Sequence, residues 1–117
     1  MELELTDAEM SFVDQYIATA EWADPAEPEY YTDPDKVVRC PAWEREAILD
    51  CLAFWSKFEV YLAEPTQAAH DLYLSRNGHG TGFWDDNGEN YQSWLAPKMQ
   101  AFAEALGEHQ IQYEEEI

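Results

Sequence analysis

The sequence predicts a mainly α-helical α+β domain, with three or four helices around an aromatic-rich core and a small β hairpin or two-strand element. Three observations lead to this fold class. Apolar residues recur at steps of three and four along residues 10–20, 43–62 and 91–106, the period of an amphipathic helix. Seventeen residues are aromatic (5 Phe, 5 Trp and 7 Tyr), enough large rings for the core of one domain. Short apolar segments at 83–84 and 111–113 lie near turn residues and supply the β element.

The first helix is expected over residues 6–22. Thr6 is a suitable N-cap, and Glu9 stands three positions later, which is the spacing of a capping box. A connector follows over residues 23–41, because its prolines forbid a continuous helix. Tyr30 and Tyr31 are expected to pin this connector to the body of the domain.

The longest helix is expected over residues 41–64, with a proline at its first position and another proline directly after its end. Its apolar stripe includes Trp55, whereas Phe54 falls beside that stripe. A short third helix is expected over residues 66–74. Across the chain the predicted core residues are large and apolar: Trp43, Ile48, Leu52, Trp55, Phe58, Leu62, Leu74, Trp84, Leu95 and Phe102.

The last helix is expected over residues 90–106, where Pro97 either kinks it or delays its start. Gly107 suits the C-cap. A short strand at residues 111–113 is expected to lie beside Phe83 and Trp84, and the acidic tail at 114–116 is expected to be solvated. We divide the single domain, residues 1–117, into three segments: an acidic helix and connector at 1–40, a core at 41–113 and a tail at 114–117.

The charge excludes several classes of partner. The chain carries 25 acids and 6 bases, for a net charge of −19. Residues 1–35 hold eleven acids and no base, and residues 82–117 hold eight acids and one base. Direct nucleic-acid binding needs cationic side chains that displace counterions, and docking on anionic membranes needs the same charge, so we expect neither. We also expect no membrane-spanning segment and no secretory signal.

The two cysteines, Cys40 and Cys51, form no CxxC pair, which favours reduced thiols and a cytosolic location. His70 and His79 stand nine residues apart, which matches no known zinc spacing. We therefore predict no metal site, no cofactor and no enzymatic activity.

One segment, residues 68–85, reads AAHDLYLSRNGHGTGFWD and concentrates three of the five glycines of the chain. It has no Walker lysine and does not match GxGxxG, so a phosphate site is disfavoured. The glycines and Arg76 are expected to serve loop geometry. An alternative is a small enzyme or ligand-binding module centred on this loop, with Asp71, Arg76, Asn77, His79 and Asp85 as its site.

Residues 70–85 resemble a segment of small tailed-bacteriophage proteins of uncharacterised function, in which the pattern is close to HD[FL][WY]L[TS]RNGHGxGFWD. Gly107, Glu108 and Tyr113 approximate a further G-[ED]-x-x-x-Y pattern of that family, with one additional residue before the tyrosine. The resemblance covers roughly residues 45–113. It implies phage origin and a place in the cytoplasm of the bacterial host, and it assigns no chemistry to the motif.

The acidity and the phage resemblance together favour a non-enzymatic inhibitor that mimics DNA. Its partner would be the basic surface of a host DNA-binding protein, such as a restriction enzyme or CRISPR effector. The expected contact residues are carboxylates on the first helix, the connector and the loop: Asp7, Asp14, Glu21, Asp24, Glu27, Asp85, Asp86 and Glu89. A further alternative is a structural or regulatory phage protein that acts through protein contacts alone. Either a monomer or a homodimer fits the sequence.

Overall fold

The computed structural model describes residues 4–79, 82–83 and 91–116. Within them the chain forms four α-helices and one antiparallel pair of strands, so the predicted fold class is confirmed. The elements are α1 (Asp7–Ala23), β1 (Val37–Arg39), α2 (Pro41–Phe58), α3 (Pro65–Arg76), α4 (Leu95–Leu106) and β2 (Tyr113–Glu115), with short 3-10 turns at Pro28–Tyr30, Pro34–Lys36 and Glu59–Tyr61.

Helix α1 begins with the predicted capping box. The Thr6 hydroxyl accepts a hydrogen bond from the Glu9 backbone N–H at 3.1 Å, and the Thr6 N–H donates to the Glu9 carboxylate at 2.8 Å. The buried face of α1 packs mainly on α3, where the rings of Tyr16 and Tyr73 meet edge to face with their centroids 5.4 Å apart. This packing fixes α1, and the acids on its exposed face, on one side of α3.

Three helix boundaries differ from the prediction. Helix α2 ends at Phe58 rather than at residue 64, because the chain tightens into the 3-10 turn Glu59–Tyr61 and becomes extended at Leu62. Helix α3 runs on to Arg76, where Gly78 with φ of +67° allows the turn that ends it. Helix α4 begins at Leu95 rather than at residue 90, so Pro97 delays its start and occupies the first turn, where its missing N–H costs no helical hydrogen bond.

The predicted strand pairing is wrong. β2 pairs with β1 of the connector, with Val38 opposite Glu114, and not with Phe83. Hydrogen bonds from the Cys40 N–H to the Gln112 carbonyl and from the Glu116 N–H to the Lys36 carbonyl extend the ladder at 2.8 and 2.9 Å. The acidic tail is therefore part of the sheet, and the connector contains a strand. The sequence did not predict this pairing, because three-residue segments carry too little alternation to fix their partner.

The core is centred on Phe54, which is fully buried although it was predicted to lie beside the apolar stripe. Its ring lies 4.8–5.7 Å from those of Phe12, Phe58 and Phe83. The buried side of α2 follows residues 43, 47, 51, 54 and 58, which turns Trp55 to a partly buried position.

The remaining core predictions divide according to burial. Trp43, Phe58, Leu74 and Leu95 are buried as predicted. The others that the structure describes are only partly buried: Ile48, Leu52, Leu62 and Phe102. Trp84 lies outside the described residues.

Candidate functional site

Arg76, the only base of the glycine-rich loop motif, is directed into the core. Its side chain is 2% exposed and bonds the Asp50 carboxylate at 2.9 Å and the Tyr16 hydroxyl at 3.2 Å. Its other nitrogens donate to the carbonyls of Leu106 and Gly107, at the C-terminal end of α4. Burial raises the pKa of Tyr16, and the Arg76 guanidinium partly opposes that rise. The arrangement joins α1, α2, α3 and the end of α4, so these donors are engaged by the protein itself.

Asp71 and Asn77, two more residues of the alternative loop site, also hold the fold together. Asp71 accepts hydrogen bonds from the Tyr91 hydroxyl at 2.6 Å and from the Gln67 amide at 3.1 Å. Asn77 donates to the Tyr73 carbonyl at 3.0 Å and accepts from the backbone N–H of His109 at 2.7 Å. These two side chains and Arg76 each bond to different partners, so these contacts do not bring them together as one site.

His79 is the loop residue with the most suggestive chemistry. Its Nε2 lies 2.9 Å from Asp24 Oδ2, which also accepts a hydrogen bond from the Tyr73 hydroxyl at 2.7 Å. The imidazole stacks on the Tyr73 ring at 6.0 Å, and both His79 and Asp24 are about a quarter exposed. A cleft of about 360 Å³ opens beside His79, Leu74 and the end of α1. The pair could hold or transfer a proton at this cleft.

Two glycines of the loop have a geometric role. Gly82 has φ of +139°, and a Cβ there would collide with the Ser75 side chain. Ser75 in turn accepts a hydrogen bond from the Phe83 N–H at 3.0 Å, which holds the loop against α3. Gly78 supplies the left-handed turn after α3. Gly80, expected to act similarly, lies outside the described residues.

The predicted partner-binding acids on α1 lie on one exposed face. Asp7, Asp14 and Glu21 are exposed and follow each other at seven-residue intervals, which places them about 10 Å apart along the helix. Asp7 and Asp14 are directed to solvent, whereas Glu21 receives a hydrogen bond from Arg39 at 2.8 Å. The α1 surface is therefore anionic, and its negative charge is partly neutralised at its C-terminal end.

The other predicted contact acids occupy different surroundings. Asp24 is engaged with Tyr73 and His79, while Glu27 is exposed in the connector. Asp85, Asp86 and Glu89 lie outside the described residues, so their positions relative to the other acids stay a prediction.

Strand pairing joins the two anionic ends of the chain, which the sequence did not predict. β2 carries Glu114 and Glu115 against the connector, and the Glu115 carboxylate accepts a hydrogen bond from the Thr32 N–H at 2.7 Å. Asp33 and Asp35 lie in the connector segment that leads into β1. The pairing therefore brings acids that are far apart in sequence to one sheet, beside Lys36 and Arg39 of the same segment.

The thiols and potential metal ligands form neither a disulfide nor a metal-holding group in the described part of the chain. Cys40 and Cys51 are unbonded, and burial raises the pKa of Cys51, which keeps its thiol protonated. Among residues 4–79, 82–83 and 91–116, no three His, Cys, Asp or Glu side chains are grouped to hold a metal ion. No helix in those ranges is long and apolar enough to cross a membrane.

Comparison of the chain with protein-family models, curated proteins and solved structures finds no match.

The sequence analysis missed two features of the site region. Asp50 was not recognised as the partner of Arg76, although it stands as a charged residue one position from the buried Cys51. Tyr30, expected to pin the connector, is 77% exposed.

Proposed function

We propose that this protein is a non-enzymatic inhibitor of phage origin that occupies the basic, DNA-binding surface of a host protein in place of DNA. The observation that carries the proposal is the distribution of charge. Acids from both ends of the chain collect around α1, the connector and the β1–β2 sheet, and the net charge is −19. Such a surface attracts a cationic cleft and repels nucleic acid.

The positions of two bases support the same proposal. Arg76 forms a buried ion pair with Asp50, and Arg39 forms ion pairs with Glu21 and Glu44 at 2.8 and 3.2 Å. Because both arginines are paired within the protein, they do not neutralise the other surface carboxylates. Accumulating so much like charge opposes compactness through self-repulsion, which favours a role for the charge in binding a partner of opposite sign.

The decisive experiment is competition between this protein and DNA for DNA-binding proteins captured from host lysate at low salt. Binding should weaken as salt rises, because exposed charges are screened within about 10 Å at 0.1 M salt. Simultaneous binding of DNA and this protein to the captured partner would refute the mimicry.

Charge reversal gives the matched test. Reversing Asp7, Asp14 and Glu27 to lysine should abolish or strongly weaken binding, with a circular-dichroism spectrum like that of the parent. The control reverses three exposed acids on other elements: Glu59, Glu64 and Glu104. Equal losses in both triple variants would show that net charge alone, rather than the α1 and connector surface, governs the association.

The His79–Asp24 pair favours a second candidate, a ligand-binding or acid–base site at the adjoining cleft. In that case His79→Ala should abolish the activity or ligand binding without changing the melting temperature. A purely structural or regulatory phage protein is the third possibility, and it predicts a partner whose DNA binding this protein leaves unchanged.

A further inference from the structure

A pocket of about 330 Å³ lies between the end of α1, the first 3-10 turn of the connector and the segment that leads into β2. Its walls combine aromatic rings and carboxylates, and we call it the tyrosine pocket; its key residues are Asp24, Glu27, Tyr30, Tyr31 and Tyr113. The volume falls at the lower end of the range for ligand pockets, about 300–1,000 Å³. It therefore suits one side chain or one small ligand.

Asp24, which lines this pocket, has its carboxylate fixed by hydrogen bonds. Its Oδ2 accepts hydrogen bonds from the Tyr73 hydroxyl and His79, and neither bond uses Oδ1. The Tyr113 hydroxyl donates to the Asp24 carbonyl at 2.9 Å, which ties β2 to the end of α1. Burial, followed by the negative charges of Glu21 and Asp24, raises the pKa of Tyr113, consistent with an anionic surrounding. Asp24 and Tyr113 are thus held in place before any ligand enters.

These walls fit a planar cation better than other chemical groups. Tyrosine faces attract cations through the ring quadrupole, and a guanidinium both stacks on such rings and pairs with a carboxylate. An anion would be repelled by Asp24 and Glu27, whereas a neutral apolar group would gain no attraction from either carboxylate. We propose that the tyrosine pocket binds an arginine side chain of the partner protein, an inference that rests on the proposed function.

A second cleft favours an arginine within a polypeptide over a free cationic metabolite. This cleft, of about 610 Å³, shares Pro25, Ala26 and Tyr113 with the tyrosine pocket and continues along β1 past Val38. Its prolines and valines can cover the chain on either side of the arginine, while the cation of the cleft, Arg39, is paired with Glu21 and Glu44. The pocket would then anchor a segment of partner that the anionic surface attracts.

The test uses the intact protein with tyrosine rings labelled for NMR and two probes, N-acetyl-arginine methylamide and its neutral citrulline counterpart. We expect saturable shifts of Tyr30, Tyr31 and Tyr113 with the arginine probe alone. Equal shifts with citrulline, or shifts spread evenly over all seven tyrosines, would overturn the proposal. Binding of agmatine without binding of the arginine amide would assign the pocket to free amines and overturn it as well.

Substitutions in the tyrosine pocket test whether the arginine probe binds there. Tyr30→Leu should weaken binding of the arginine probe about fivefold, the size of one cation–π contact, whereas Tyr61→Leu at another exposed tyrosine should not. Glu27→Gln should weaken it, while Glu29→Gln should leave it unchanged. A loss of affinity in the two controls equal to that in the pocket variants would contradict the assignment.

The probe titration contains no macromolecular partner, so the two proposals fail separately. Competition with DNA without any binding of the arginine probe would refute the pocket alone. Probe binding without competition would refute the mimicry and leave the pocket as a site for arginine.

Discussion

Replacing Arg76 with leucine should be among the most destabilising changes in this protein. The substitution removes the charge that pairs with Asp50 and the donor that satisfies the Tyr16 hydroxyl. It also removes the hydrogen bonds to two carbonyls at the end of α4. Breaking a buried ion pair from one side costs about 3–5 kcal/mol. Because Asp50 keeps 22% exposure and some hydration, we expect the lower end, about 3 kcal/mol.

Urea denaturation followed by tryptophan fluorescence measures this loss. A domain of this size has a free energy of unfolding of about 5–15 kcal/mol, so the variant should still fold but with a melting temperature lower by roughly 12 °C. Arg39→Leu is the matched control, because Arg39 also contacts two carboxylates but its side chain is 36% exposed. Exposed pairs contribute about 0–1 kcal/mol. Similar losses in the two variants would refute the assignment of Arg76 as a buried structural residue.

Three further changes test the fold. Phe54→Ala should cost about 3–5 kcal/mol in urea denaturation, and more than Trp55→Ala, since only the phenylalanine ring is fully buried. Gly82→Ala should lower the melting temperature, because a side chain at φ of +139° is strained and clashes with Ser75. Burial lowers the pKa of His109 from 6.5, so the unfolded chain binds the proton first and stability should fall as pH drops below about 6.5. His109→Gln should flatten that acid-side decline, and an unchanged slope would contradict this reading.

Part of the candidate site could be predicted from the sequence. The motif residues Asp71, Arg76, Asn77 and His79 were identified because glycine, histidine and charged residues concentrate there. Their partners could not be identified, because Asp50, Tyr91 and His109 approach only through the packing of α2, α4 and the C-terminal segment. Which residue of a motif is buried in the core and which borders a cleft depends on those long-range neighbours.

Four features follow from the amino-acid sequence alone: the fold class, the capping box at Thr6 and Glu9, the C-cap at Gly107 and the excess of acids at both ends. Each of these follows from local spacing, composition or the conformational freedom of one residue. Long-range packing, in contrast, places Phe54 rather than Trp55 at the centre of the core and pairs β2 with the connector. Helix rotation and the register of three-residue strands depend on contacts between distant segments, which local periodicity does not encode. The same pairing places Tyr113 against the connector and forms the tyrosine pocket.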